Sequence, residues 1–161
     1  MPETAGMAAS SEIKAPTATP EPSPEASQFD FWLGEWDCTW GDGERGSNSV
    51  QAIMGGFVVL EQFNGEPAMP LHGMSVSVYT PALKQWRQTW VDDEGNYLDF
   101  AGEFQDGRMV LARTAVEEGE HVRQRMVWYN IVPDSLDWDW QRSEDAGASW
   151  QSLWTIHYRR K

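Results

Sequence analysis

The sequence predicts an all-β fold. The expected form is an antiparallel, up-and-down, calycin-like barrel of about ten strands with a short N-terminal helical plug, preceded by a disordered N-terminal tail. Three observations carry this reading. Apolar and polar side chains alternate at period two through nearly all of residues 36–160. The intervals between alternating runs are short and rich in Gly, Asp, Asn and Pro, so consecutive strands have no crossover helices and must pair antiparallel. Ten tryptophans in 161 residues supply rings large enough to fill or line the interior of a closed sheet. A long meander of two-faced strands removes its exposed edges by closing on itself. About ten strands leave room for a ligand cavity. A sandwich is the alternative, and no fixed period supports a repeat solenoid.

Residues 1–28 contain five of the nine prolines and no aromatic residue. Such a segment buries too little to offset its ordering entropy, and it is expected to be a disordered tail. The barrel domain is then 29–161. It opens with Phe29-Asp30-Phe31-Trp32-Leu33-Gly34-Glu35-Trp36, an aromatic cluster too apolar for water and too short to be a core. This segment is read as the plug: a short helical turn whose rings stopper one end of the barrel and feed the first strand at Trp36.

The first strand alternates Trp36, Cys38 and Trp40 with Asp37 and Thr39, and 41–46 turns. The second runs over about Asn48–Met54, and Gly55-Gly56 leads into the third, Phe57–Asn64. A loop at 65–70 precedes the fourth, His72–Thr80, with Met74, Val76 and Val78 on one face and Ser75, Ser77 and Tyr79 on the other. The fifth is Gln85–Val91 and the sixth Tyr97–Phe104, joined by an acidic turn. Gln105-Asp106-Gly107 is a hairpin signal before the seventh, Arg108–Val116. The eighth is His121–Ile131, which Pro133 ends. The ninth, Ser135–Arg142, alternates Leu136, Trp138 and Trp140 with acids and Gln141. The tenth, Ser149–Arg160, sets Trp150, Trp154, Ile156 and Tyr158 against Gln151, Thr155, His157 and Arg159.

Ser143 to Trp150 reads S-x-D-x-G-x-x-W and resembles the Asp-box turn of sialidase-type propellers. A propeller repeats that turn in each blade, and here it occurs once. It is therefore read as a hairpin clasp, with the Asp145 carboxylate accepting backbone N–H bonds and the Trp packed beneath.

The opening F-x-F-W-x-G-x-W, together with Gln88 to Asp92, the 143–150 turn and the terminal Tyr158-Arg159-Arg160, resembles a large bacterial family of unknown function. That family has a calycin-like barrel of lipocalin or nitrobindin type. The resemblance covers about residues 29–160 and implies the fold without an agreed activity. Where the family usually has a second turn glycine, this chain has Ala146. Nitrobindin-like barrels hold haem through a late histidine. The only late histidine here, His157, shares its face with Gln151, Thr155 and Arg159, which reads as the solvent side.

Net charge is −13, which repels phosphate backbones and anionic membranes. No nucleic acid and no membrane are expected as partners. Cys38 is the sole cysteine, so no internal disulfide forms, and it reads as a small buried apolar residue. Three histidines on separate elements make a poor zinc triad. No metal and no cofactor are expected, and no nucleophile elbow or phosphate-binding glycine loop is present. The chain lacks an apolar run of transmembrane length and a secretory h-region, so a cytoplasmic location is the default expectation.

Candidate chemistry centres on Glu61. Phe57, Val59 and Phe63 share its face. If that face points inward, the carboxylate needs a partner or a raised pKa. Arg125, with Arg123 on the same face, is the expected partner. Gln88, Trp90 and Asp92 share one face of the fifth strand. The expected ligand-binding set is Glu61, Gln88, Trp90 and Arg125 as a polar patch, walled by Trp138, Trp140 and Trp154. The alternative is that Glu61 and the arginines face water or form a structural pair. The function expected is binding of a small hydrophobic or aromatic molecule. The competing reading is a cofactor-free cyclase or isomerase using Glu61 or Asp92 as general acid or base. A filled barrel acting only as an interaction domain is a third. The sequence leaves oligomeric state open.

Overall fold

The computed structural model describes residues 18–161; the first seventeen residues of the expected tail lie outside the described residues. The fold is all-β. Ten antiparallel strands close a barrel in the order β1-β10-β9-β8-β7-β6-β5-β4-β3-β2. They are β1 Gly34–Trp40, β2 Glu44–Ile53, β3 Val58–Asn64, β4 His72–Thr80, β5 Gln85–Asp92, β6 Tyr97–Gln105, β7 Arg108–Glu117, β8 Glu120–Val132, β9 Ser135–Ser143 and β10 Gln151–Arg160. Each strand pairs with its chain neighbours. The seam is β1 with β10, where Trp36 faces Arg160 and Cys38 faces Tyr158. This pairing leaves no edge strand. A closed, Trp-rich, antiparallel ten-stranded barrel is consistent with a calycin-like fold.

The plug is a 3₁₀ helix, Pro24–Trp32. It begins five residues earlier than Phe29, inside the stretch expected to be tail. Pro24 suits the first helical position because its fixed φ is already helical and its missing N–H would have no partner there. Phe29 and Trp32 are fully buried. The Phe29 ring meets Trp86 and Trp128 edge-on at 4.8 and 5.2 Å, and Trp32 meets Trp128 at 5.2 Å. The Gln28 side-chain oxygen accepts a bond from the Trp86 indole N–H. Chain reversal into β1 is held by the Trp36 indole, which donates to the Trp32 carbonyl at 2.8 Å.

Arg160 fastens plug to barrel. Its guanidinium donates to the carbonyls of Leu33, Phe31 and Pro133 and lies 4.2 Å from the centre of the Trp36 ring. The terminal Tyr-Arg-Arg of the sequence thus gains a physical role: the second arginine closes the stoppered end.

The inward faces are set by the bulk of each strand's apolar residues. On β8 the even positions Met126 and Trp128 are buried, and cross-strand pairing places them beside Trp140 and Trp138. On β4 the opposite occurs. Ser75 and Ser77 are buried, whereas Met74 and Val76 are exposed. Small hydroxyl side chains there leave space for larger groups on β3 and β5, as alternating sizes do in small barrels. Gly73 is the extreme case: a Cβ on it would lie 2.1 Å from the Trp90 ring.

The 143–150 turn is the expected clasp. Asp145 accepts bonds from the Ser149 amide, the Ser149 hydroxyl and the Ser143 hydroxyl. These bonds hold its carboxyl low, at about 2. Ser143 Oγ in turn accepts the Gly147 amide. Ala146 adopts φ 58°, the left-handed conformation that glycine tolerates better. Trp150 belongs to this turn and not to β10; its indole donates to the Gly147 carbonyl.

Candidate functional site

The plug closes the end where β5 starts, and the opposite end holds a cup of about 460 Å³. Its wall is aromatic: Phe63, Trp90, Phe100, Trp138, Trp140 and Trp154, with Leu98, Met126, Trp128 and Ile156 between them. Several of the rings stand nearly perpendicular to one another, while Phe63 meets Trp90 at 55°. Trp138 meets Trp154 at 5.7 Å and 90°, Phe63 meets Trp154 at 86°, and Phe100 meets Trp140 at 82°. Such edge-to-face contacts add about 0.5–1.5 kcal/mol per pair beyond burial and favour this arrangement of the wall. The cup reaches solvent at the β5–β6 turn, where Glu94 and Asn96 line it and are exposed.

Glu61 lies in the cup lining, 6% exposed. Ser75 faces it directly across the β3–β4 ladder and donates its hydroxyl at 2.6 Å. Asn48, from β2, donates its amide to the other oxygen at 2.7 Å and to the Tyr158 hydroxyl at 3.1 Å. Burial pushes the Glu61 carboxyl up to about 7, against the opposing pull of the Ser75 and Asn48 bonds. Burial also raises Tyr158 well above its ordinary value, with Cys38 and Glu61 adding to the shift. The Cys38 thiol, buried beside Tyr158, is pushed up as well, chiefly by desolvation. It is the small buried residue expected from the sequence. Asn48, Glu61, Ser75, Tyr158 and Cys38 thus form one polar seam under an apolar cup.

The arginine expected beside Glu61 is elsewhere. Arg125 faces the outside of β8, because Met126 and Trp128 on that strand take the inward positions. Its Nε donates to Gln141 at 2.7 Å, and its guanidinium lies 4.0 Å over the Trp150 ring. Glu61 is satisfied by neutral donors, which carry no desolvated positive charge. Gln88 does point inward and is buried, but it donates to Ser77 and does not line the cup. Trp90, Trp138, Trp140 and Trp154 do line it with Glu61.

Asp92 is at the mouth and serves the wall. It accepts from the Trp90 indole at 2.8 Å and from Asn96 and the Glu94 amide. Burial alone would raise it, yet these bonds lower it below the ordinary carboxylate value. An acid so occupied is a poor proton acceptor. Arg113 is the one cation in the lining. It donates to Gln124 and sits 5.9 Å over Phe100. The indole N–H groups of Trp128 and Trp154 are buried and have no hydrogen-bond partner.

The sequence reading missed Asn48, Ser75, Tyr158 and Arg113. Ser75 and Asn48 carry no motif, and only the register across β2, β3 and β4 brings them to Glu61. Tyr158 was legible as sharing a face with Trp154 and Ile156. His157, the one late histidine, lies on the outer face bonded to Asp137 at 2.7 Å. Among the described residues no group of three or more His, Cys, Asp or Glu is placed to hold a metal ion, and no helix is long and apolar enough to cross a membrane. No family model matches the chain, and no curated protein does.

Proposed function

We propose that this barrel is a small-molecule binding module whose ligand, with an aromatic or otherwise hydrophobic body, occupies the tryptophan-walled cup. The observation that carries the reading is the cup itself: about 460 Å³ walled by aromatic rings, with a single buried carboxyl in its lining. Pockets of this size with apolar walls and few polar anchors are the usual form of small-molecule sites. The two unpartnered indole N–H groups favour a ligand that also carries an acceptor, since buried donors are normally satisfied. An unfilled interior argues against a purely structural barrel. The acidity of the chain favours a partner other than nucleic acid.

Native mass spectrometry of the purified protein tests this. The expected result is a small hydrophobic molecule retained by the wild type and lost on Trp140→Ala. Retention of nothing, together with no quenching by any aryl probe, would contradict it.

A second reading rests on Glu61. A carboxyl near 7 inside a largely dry site suits general acid–base catalysis. Under that reading the captured compound is released chemically altered, and Glu61→Gln stops the conversion while leaving capture intact. Asp92 is the weaker candidate, because its oxygens are already committed. Release of an unaltered ligand from both proteins would leave binding alone.

A further inference from the structure

Resting on the cup as the ligand site, we propose that its ligand is a hydrophobic cation, a protonated or quaternary amine on an aryl or alkyl body. Three features of the molecule converge on this charge class.

The first is the wall. Indole and phenyl rings packed nearly perpendicular to one another line the cup, so that the wall offers ring faces as well as ring edges. Ring faces carry negative quadrupole density and attract ammonium groups most strongly when water is excluded. The protein already seats a cation in this way, with the Arg113 guanidinium over Phe100.

The second is the buried carboxyl. Both Glu61 oxygens are held by neutral donors, Asn48 and Ser75, and no Lys or Arg neutralises them. The one guanidinium in the lining is engaged with Gln124. A buried carboxylate without a counter-ion is costly, and a cationic ligand is the group that would relieve it.

The third is the mouth. The connections at 41–43, 65–71, 93–96, 118–119 and 144–150 all lie at the open end. Together they contain seven Asp or Glu residues and no Lys or Arg, and Arg142 of β9 pairs there with Glu117 and Glu144. The connections at the plugged end, 54–57, 81–84, 106–107 and 133–134, contain Lys84, Asp106 and Asp134. The loops are therefore polarised, with more carboxylates around the entrance than at the plugged end, where the plug adds Glu25 and Asp30. Such a field concentrates cations at the opening and repels anions.

Protonation of Glu61 modulates the preference. The titratable groups that face it are Tyr158 and Cys38, both pushed up by burial and uncharged at pH 8. Asp92 and Arg113 are the charged groups nearer the mouth. Above pH about 7 the carboxyl ionises, and cation affinity rises.

The test is a tryptophan-quenching titration at pH 8 and low salt with three probes. They are benzyltrimethylammonium, its uncharged isostere neopentylbenzene, and phenylacetate. The expected order is cation tightest by at least about tenfold, then the isostere, with the anion weakest. Glu61→Gln is expected to weaken the cation several-fold and leave the isostere within about twofold. The double variant Asp42→Asn/Glu118→Gln changes only exposed mouth residues outside the cup lining, and it is expected to lower cation affinity about two- to threefold with the isostere unaffected. An isostere that binds as tightly as the cation would overturn the charge class and leave the cup as a ligand site. Absence of binding by all three probes would remove both.

Discussion

Glu61 is the residue whose environment departs most from what its chemistry would choose. Its folded carboxyl titrates near 7 instead of 4.5. The folded state therefore holds this proton more tightly than the unfolded chain does. Stability from this group is fully present below about pH 4.5 and is lost as pH rises through 7, by about 3 kcal/mol. Urea unfolding of wild type against Glu61→Gln should show the difference growing across that window and flat above it. A difference independent of pH would mean that Glu61 is not held protonated. Two other positions test local geometry. Gly73→Ala drives a methyl into the Trp90 ring and should cost about 1–3 kcal/mol with a changed tryptophan emission. Ala146→Gly removes a left-handed alanine from the clasp and should stabilise by about 0.5–1 kcal/mol in thermal unfolding, the relief of strain exceeding the added chain entropy. Residue-level legibility was uneven for a physical reason. Glu61 stood out because a charge on an apolar face is costly wherever it lies. Ser75 and Asn48 are ordinary polar residues until the register places them against it.

At the scale of elements, period-two alternation located every strand, because a half-buried sheet imposes that period on sequence. What alternation leaves open is which face points in. On β8 both faces carry apolar residues, Val127 on the side of Arg125 and Met126 and Trp128 on the other, so alternation alone does not decide which points in. Val127 is indeed buried, but on the outer surface, near a cluster in which Asp139 accepts bonds from Ser152, Thr155, Gln141 and Tyr129. The larger rings of Trp128 and its neighbours decide the inward face. The plug was legible from its aromatic density, whereas its start at Pro24 was hidden by the compositional likeness of 24–28 to the segment before it. Its attachment is the element-level prediction. Arg160→Ala removes three carbonyl partners and the stacking on Trp36, and should cost about 2–4 kcal/mol in urea unfolding. An unchanged midpoint would show that the plug is held by its rings alone.

The whole molecule is a barrel stoppered by aromatic rings at one end and ringed by carboxylates at the other. That asymmetry is visible in the sequence only once alternate turns are known to share an end, which closure of the meander guarantees. It predicts a rate effect: association of benzyltrimethylammonium should slow several-fold between about 10 mM and 0.5 M salt in stopped-flow quenching, as the Debye length contracts from about 30 Å to a few ångströms. A salt-independent rate would mean that the mouth does not steer. The central claim is that the tryptophan-walled cavity is where ligand sits. It is tested most directly by following the ten indole N–H resonances by NMR during titration with a hydrophobic aryl probe. Trp90, Trp138, Trp140 and Trp154 should shift together while Trp32, Trp36 and Trp86 in the plugged end stay fixed. Shifts confined to the plug tryptophans, or ten unmoved signals at saturating probe, would contradict it.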